Sequence, residues 1–261
     1  MFPELITIGG ITIHSYGFMI MLGAIMGYTY MSNDARKSLN ISPDKIQTLA
    51  ILIILGAFVG GKVLFYLEDP GYYFSPPSNM LKNFRTGFVF YGSLLFALPL
   101  SIWFFMKEKW PVWAMLDRLA ITATIIHAFG RMGCFLAGCC YGLPTEAFHA
   151  VTFTHEHSKA KPLGEPLHPT QLYSVFLISS IFVVLYMFKR HKRFEGQLFF
   201  LYIMLYAAGR AVIEIFRGDI RRGFVIEGWL SHSQFISILL IAGAAWVYFY
   251  LSKRPKTSKP R

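Results

Sequence analysis

Long apolar runs broken by short polar clusters set the pattern of this chain. Seven of them reach the length that a bilayer core demands, about 17 to 25 residues: Ile13 to Met31, Ile46 to Leu67, Phe88 to Met106, Val112 to Leu136, Leu172 to Phe188, Gln197 to Phe216 and Ser233 to Leu251. The pattern predicts an all-α integral membrane protein of seven transmembrane helices. It reads as a single polytopic domain over 1–261, with the loop 137–170 between spans four and five forming a small external head that contains a β-like stretch, Ala150 to Thr154.

Composition agrees. Hydrophobic residues make up 54% of the chain and charged residues 15%, too apolar a balance for a water-soluble domain. The formal net charge of +11 is an argument about membrane surfaces here, not nucleic acid. Basic residues gather around Arg36, Lys37 and Lys45, around Lys107, Lys109 and Arg118, at Lys189, Arg190, Lys192 and Arg193, and in the tail Lys253 to Arg261. The opposite side holds fewer: Lys82, Arg85, Lys159, Lys161, Arg217, Arg221 and Arg222. By the positive-inside rule the N-terminus lies outside and the C-terminus in the cytoplasm. Met1 to Ile25 lacks the charged start of a cleaved signal peptide, so this stretch is expected to stay attached.

Charges inside apolar spans are expensive and need a partner or a ligand. In the sixth span Tyr206, Arg210, Glu214 and Arg217 follow one another at steps of four, four and three, which places them on one helix face. Tyr16, Lys62, Tyr91 and Arg131 fall at the same membrane depth as Glu214 and Arg217 by this topology. A lateral pocket in the outer leaflet follows, in which Lys62, Arg131, Arg210 and Arg217 outnumber Glu214 and suit a lipid with a phosphate headgroup. Small residues spaced by four, Gly23 with Gly27, Gly56 with Gly60, and Gly130 with Cys134 and Gly138, read mostly as helix packing.

The blocks His14-Ser15-Tyr16-Gly17, Gly60-Gly61-Lys62, Gly130-Arg131-Met132-Gly133-Cys134-Phe135-Leu136-Ala137-Gly138-Cys139-Cys140-Tyr141-Gly142, His168-Pro169-Thr170-Gln171-Leu172-Tyr173 and Tyr206-Ala207-Ala208-Gly209-Arg210-Ala211-Val212-Ile213-Glu214-Ile215-Phe216-Arg217 resemble, in order, those of prolipoprotein diacylglyceryl transferases. The resemblance implies a bacterial inner-membrane enzyme. It would move the diacylglyceryl group of phosphatidylglycerol onto the lipobox cysteine of a preprolipoprotein, forming a thioether and releasing glycerol phosphate. Its partners would be that lipid, the lipobox signal peptide and the surrounding membrane lipid, with no nucleic acid, cofactor or metal.

By the same resemblance Tyr91, Arg131, Tyr206, Arg210 and Glu214 are the catalytic candidates, and Tyr16, Lys62, Gly92, Gly142, His168 and Arg217 the lipid-binding ones. The reaction needs a base for the attacking thiol and a cationic clamp for the departing phosphate. Arg131 and Arg210 fit the clamp, while Tyr91, Glu214 and His168 remain alternative bases. The chain departs from the family pattern at Tyr91, where better known members carry histidine, and at Cys134 and Cys139, where they carry asparagine and glutamate. A phenol of ordinary pKa, about 10, serves as base only beside groups that lower it.

Each candidate has a plainer reading. Arg210 and Glu214 could form a structural bridge, Arg131 could snorkel, and tyrosines are common interface anchors. The three cysteines read first as small packing residues, next as a disulfide of Cys134 with one of the pair, and third as a metal site with His155 and His157. His127 reads as a packing histidine, and turn architecture is the safer reading of His168. Two other classes stay open, an anionic-solute transporter and a lipid-binding relative without catalysis.

Overall fold

The computed structural model describes residues 2–76, 78–84, 87–218, 224–226 and 229–253. Arg85, Arg221, Arg222 and the basic tail beyond Lys253, counted above for orientation, lie outside the described residues. Among those described, six helices are long and apolar enough to cross a membrane. They are α2 (Pro43–Leu67), α5 (Phe90–Lys107), α6 (Val112–Ala137), α7 (Thr170–Phe188), α8 (Gln197–Ile215) and α9 (His232–Ser252). At most 28% of the residues in each spanning window are buried inside the protein. Many of their large apolar side chains, such as Ile54, Leu95, Phe176, Met187, Val212 and Trp246, are exposed, which lipid accepts and water does not. This is an integral membrane protein.

The first predicted span is helical as α1 (Ser15–Leu39), and two short helices, α3 (Pro70–Phe74) and α4 (Ser78–Lys82), follow α2. α1 matches the others in length but is not one of the six apolar helices, since Tyr28, Thr29, Tyr30 and Ser32 lie in its middle and Asp34, Arg36 and Lys37 near its end. Arg118, counted above as a loop charge, is buried within α6.

Beside the helices stand three short antiparallel strand pairs, β1 (Glu4–Ile8) with β2 (Ile11–His14), β3 (Val151–Thr152) with β4 (Pro166–Leu167), and β5 (Phe224–Ile226) with β6 (Leu230–Ser231); β3 falls in the β-like stretch expected over Ala150 to Thr154, and the other two pairs were not expected. The first has a plain local cause. Ile and Thr alternate on both sides of Gly9-Gly10, whose φ angles of 56° and 82° suit a two-residue hairpin turn. The helix therefore starts at Ser15, two residues later than the apolar run suggested.

The chain divides into two compact units, Met31–Met115 on the one hand and Met1–Tyr30 with Leu116–Arg261 on the other. In the first, α2 and α5 lie close because neither Gly60 nor Gly92 has a side chain. A Cβ on Gly60 would sit 2.3 Å from the Gly92 carbonyl oxygen, and one on Gly92 2.2 Å from that of Gly60. Ser93 Oγ donates to the Ala57 carbonyl at 2.8 Å across this contact.

In the second unit, Gly23 and Gly27 of α1 meet Phe129 and Ile126 of α6 at distances that leave no room for a methyl group. Gly130 has open space at its Cβ position and Gly138 carries φ +74, so these two are not part of a packing stripe. Gly138 instead stands just past the end of α6, in the left-handed position that closes many helices. Ala120, Ile121, Ile181, Leu185 and Leu198 build a core from α6, α7 and α8. Phe200, Ala244 and Leu251 join α8 to α9, whose first turn is closed by a reciprocal Ser231–Gln234 capping box.

Candidate active site

One polar pocket of the second unit is lined by Arg131 of α6, Cys140, Thr170 and Ser174 of α7, Arg210 and Ile213 of α8, and Arg217. Three arginines, one from α6 and two from the end of α8 and just beyond it, thus line one space, a donor set suited to an oxyanion.

Each arginine is held by neighbours. Arg131 Nε lies 3.3 Å from His127 Nε2, one turn earlier on α6, and the His127 ring packs edge-on against Tyr206 at 5.1 Å between centroids. His127 is therefore a support for Arg131 and goes beyond simple packing. Tyr206 also interacts with the Arg131 guanidinium, and it stacks on Tyr202 one turn below. Arg210 Nη1 is 2.5 Å from Glu214 Oε2, on a carboxylate that is 3% exposed, though the angles fall outside hydrogen-bonding geometry. The predicted face of four residues holds for Tyr206, Arg210 and Glu214. Arg217 stands in the segment just past the end of α8 at Ile215, its N–H donating to the Glu214 carbonyl at 3.2 Å, and lines the same pocket as Arg210.

That segment is fixed by Gly142. An isolated antiparallel bridge joins Gly142 to Arg217, with Gly142 N donating to the His168 carbonyl at 2.8 Å and Leu143 N to the Phe216 carbonyl at 2.9 Å. A Cβ on Gly142 would stand 2.4 Å from the Phe216 carbonyl oxygen and 2.6 Å from His168 Cβ. Gly142 thus acts through its backbone, bringing Arg217 home.

His168 lies at the same crossing but turns to Tyr173, with Nδ1 and the phenol oxygen 2.9 Å apart, and its ring packs on His149, Tyr173 and Phe216. Burial, together with His149, holds its imidazole below the ordinary value. These contacts match turn architecture. The residues after it do what the sequence did not reveal: Thr170 Oγ1 donates to the Cys140 carbonyl at 2.7 Å and Gln171 Nε2 to the Cys139 carbonyl at 2.8 Å. Both side chains are buried, so the start of α7 clamps the cysteine loop over the pocket.

Cys134, Cys139 and Cys140 are free thiols whose sulfur atoms all lie within 4.8 Å of one another. Among the described residues this group contains no histidine. His157 pairs with Glu4 at 3.0 Å and with Glu156, and its backbone bonds to His155, so the imagined Cys–His cluster does not assemble. Cys140 is held below the ordinary thiol range by hydrogen bonds from Cys134 and Cys139 and by the charges of Arg131 and Arg217. Cys139 is raised by its bonds to the other two thiols and by burial. Tyr16, in the first turn of α1, covers this end of α6, touching the Gly133 position and interacting with the three cysteines and Arg131.

The remaining candidates belong to the other unit. Lys62 is 7% exposed, donates to the Gly87 carbonyl at 2.9 Å and sits over the rings of Phe65, Tyr66 and Phe84 at 5.4 to 5.9 Å. Tyr91, the second residue of α5, is 56% exposed beside Phe90. Gly92 is spoken for by the α2–α5 contact.

Fold and site define a polytopic α-helical membrane protein with an arginine-lined, anion-seeking pocket. The model of one family, described as prolipoprotein diacylglyceryl transferase, matches residues 3–250, and the chain belongs to that family. It is similar to a protein of Clostridium tetani named phosphatidylglycerol–prolipoprotein diacylglyceryl transferase, 36% identical over 247 residues that cover 94% of this chain and 96% of the relative. A second, of the same name with the suffix 2, comes from Clostridium perfringens and is 33% identical over 241 residues, covering 92% and 91%. A third, from Dehalococcoides mccartyi, is 29% identical over 255 residues, covering 97% and 95%.

Proposed function

We propose that this chain transfers the diacylglyceryl group of phosphatidylglycerol to the lipobox cysteine of a prolipoprotein. The observation that carries the reading is the convergence of Arg131, Arg210 and Arg217 on one pocket in a chain of this family. In the reaction the cysteine sulfur attacks the glyceryl carbon that bears the phosphate ester. A carbon–sulfur bond forms, the carbon–oxygen bond breaks, and glycerol phosphate leaves with the electron pair while the thiol proton passes to a base. The arginines stabilise charge that grows on the leaving phosphate, the largest kind of catalytic contribution.

The Arg210–Glu214 pair supplies a path for the proton. A phosphate that draws Arg210 toward itself releases the Glu214 carboxylate, which then accepts the proton as the sulfur attacks. Tyr206 and His127 keep Arg131 oriented. Tyr91 is the alternative base, and Tyr16, Lys62, Gly92, Gly142, His168 and Arg217 would touch or shape the lipid site, Gly142 and His168 through the loop that carries Arg217. The reading includes α1 as a seventh span, an N-terminus on the outer face of a bacterial inner membrane, a C-terminus in the cytoplasm, and the loop 137–170 as an external head.

The test is mass spectrometry of a lipobox peptide incubated with phosphatidylglycerol and the purified protein, with Arg131→Ala and Tyr91→Phe in parallel. A diacylglyceryl mass shift on the peptide cysteine, lost in Arg131→Ala, is expected. Lipid binding without any shift would instead favour a non-catalytic lipid-binding protein.

A further inference from the structure

The transfer just described makes no use of three thiols that meet at a point. Their convergence is built by the backbone. Gly138 at φ +74 turns the chain back past the end of α6, and Cys139 N donates to the Cys134 carbonyl at 3.0 Å. Cys140, which is not glycine, takes φ +62, a left-handed conformation that side chains disfavour. Thr170 and Gln171 hold the loop in that shape through the Cys140 and Cys139 carbonyls. The left-handed turn lets adjacent thiols, which in an extended chain point to opposite sides, serve one locus. Apolar packing does not require this, and all three cysteines are only partly buried.

The spacing suits a metal better than a sulfur–sulfur bond. A disulfide needs sulfurs about 2.05 Å apart, whereas these are free thiols. A tetrahedral ion with metal–sulfur bonds of about 2.3 Å holds its thiolates roughly 3.8 Å apart. The observed limit of 4.8 Å lies within a small side-chain adjustment of that. No carboxylate joins the group among the described residues, so oxygen-seeking ions such as magnesium and calcium are poor fits. Arg131 and Arg217 line the adjoining pocket with Cys140, and their positive charge favours thiolate over thiol.

We propose that Cys134, Cys139 and Cys140 form a three-thiolate site for one thiophilic divalent cation of the zinc and cadmium type, with the fourth coordination position open. One divalent ion replaces the three thiol protons, leaving a complex of net charge −1 whose excess is offset by the neighbouring guanidinium groups. The site stands independently of the transferase reading, since binding needs no lipid or acceptor.

Cadmium ion alone, titrated into the reduced, metal-free, detergent-solubilised full chain, tests this by sulfur-to-metal charge-transfer absorption. One ion per chain is expected, with proton release into weak buffer and displacement by zinc ion. Single Cys134→Ser, Cys139→Ser and Cys140→Ser variants each lose about tenfold or more in affinity, while His155→Ala with His157→Ala changes nothing. In the unaltered protein, cadmium slows alkylation of all three cysteines together, read by mass spectrometry, so the result stands even if a serine variant does not fold. Absence of the charge-transfer band, binding unchanged in the serine variants, or protection of a single thiol would each overturn the site.

Discussion

The Asp117 carboxylate of α6 accepts the backbone N–H of Phe199, in the first turn of α8, at 3.0 Å. Its other oxygen accepts the Gly196 N–H at 3.0 Å and pairs with Lys192 Nζ at 3.1 Å. Gly196, the N-cap of α8, has φ +90 and no side chain to close the helix itself. A carboxylate from another helix therefore satisfies donors that would otherwise be orphaned and meets the positive end of the helix dipole. The helix that carries Arg210 and Glu214 is thereby set against the one that carries Arg131.

Asp117→Ala removes these bonds in a place where Asp117 is 1% exposed. A loss of about 3 kcal/mol of stability is expected, with Asp117→Asn losing less because the amide oxygen retains one acceptor. Thermal unfolding in detergent measures the order wild type, Asn, Ala; equal stability of all three would mean that the cap contributes nothing.

Glu214→Gln separates the two roles of the Arg210 partner. If the carboxylate takes the thiol proton, turnover falls by about 10² or more, while the KM for phosphatidylglycerol does not rise, because Arg210 is freed for phosphate. Unchanged turnover with a lower KM would leave Glu214 as a structural counter-ion only.

Gly142→Ala places a methyl group 2.4 Å from the Phe216 carbonyl and should cost about 1–3 kcal/mol while displacing Arg217. Gly133→Ala, whose new atom meets Tyr16 and Met19 at 3.2 Å, is expected to be milder. Unfolding temperatures rank the two, and a KM for lipid raised more by Gly142→Ala reports the lost arginine.

The depressed pKa of His168 carries a pH dependence of definite sign. As pH falls, the unfolded chain takes up this proton first, at the ordinary value of about 6.5, while the folded chain resists. The contribution is complete above that value and drains away as pH drops toward the lower native one. His168→Gln should flatten the fall in unfolding temperature between about pH 7 and 5, and parallel curves for the two proteins would remove His168 as its source.

Much of the architecture follows from local rules that the amino-acid order alone obeys. Apolar runs of bilayer length became α2, α5, α6, α7, α8 and α9, and the four-residue step from Tyr206 to Arg210 to Glu214 set one helix face. Ile and Thr alternate around Gly9-Gly10 in the manner of a hairpin, a local signal that hydropathy, averaged over a whole span, does not register. Tertiary structure decided what depends on partners far apart in sequence. Arg217 enters the pocket through its bridge to Gly142, and the thiols of Cys134, Cys139 and Cys140 meet because Thr170 and Gln171 hold a left-handed loop. Asp117 became a helix cap only when α8 came to it. Periodicity and hydropathy are properties of neighbouring residues. A pocket, a cap and a thiol cluster are properties of loop dihedrals and of contacts between distant segments, which form only when the chain packs.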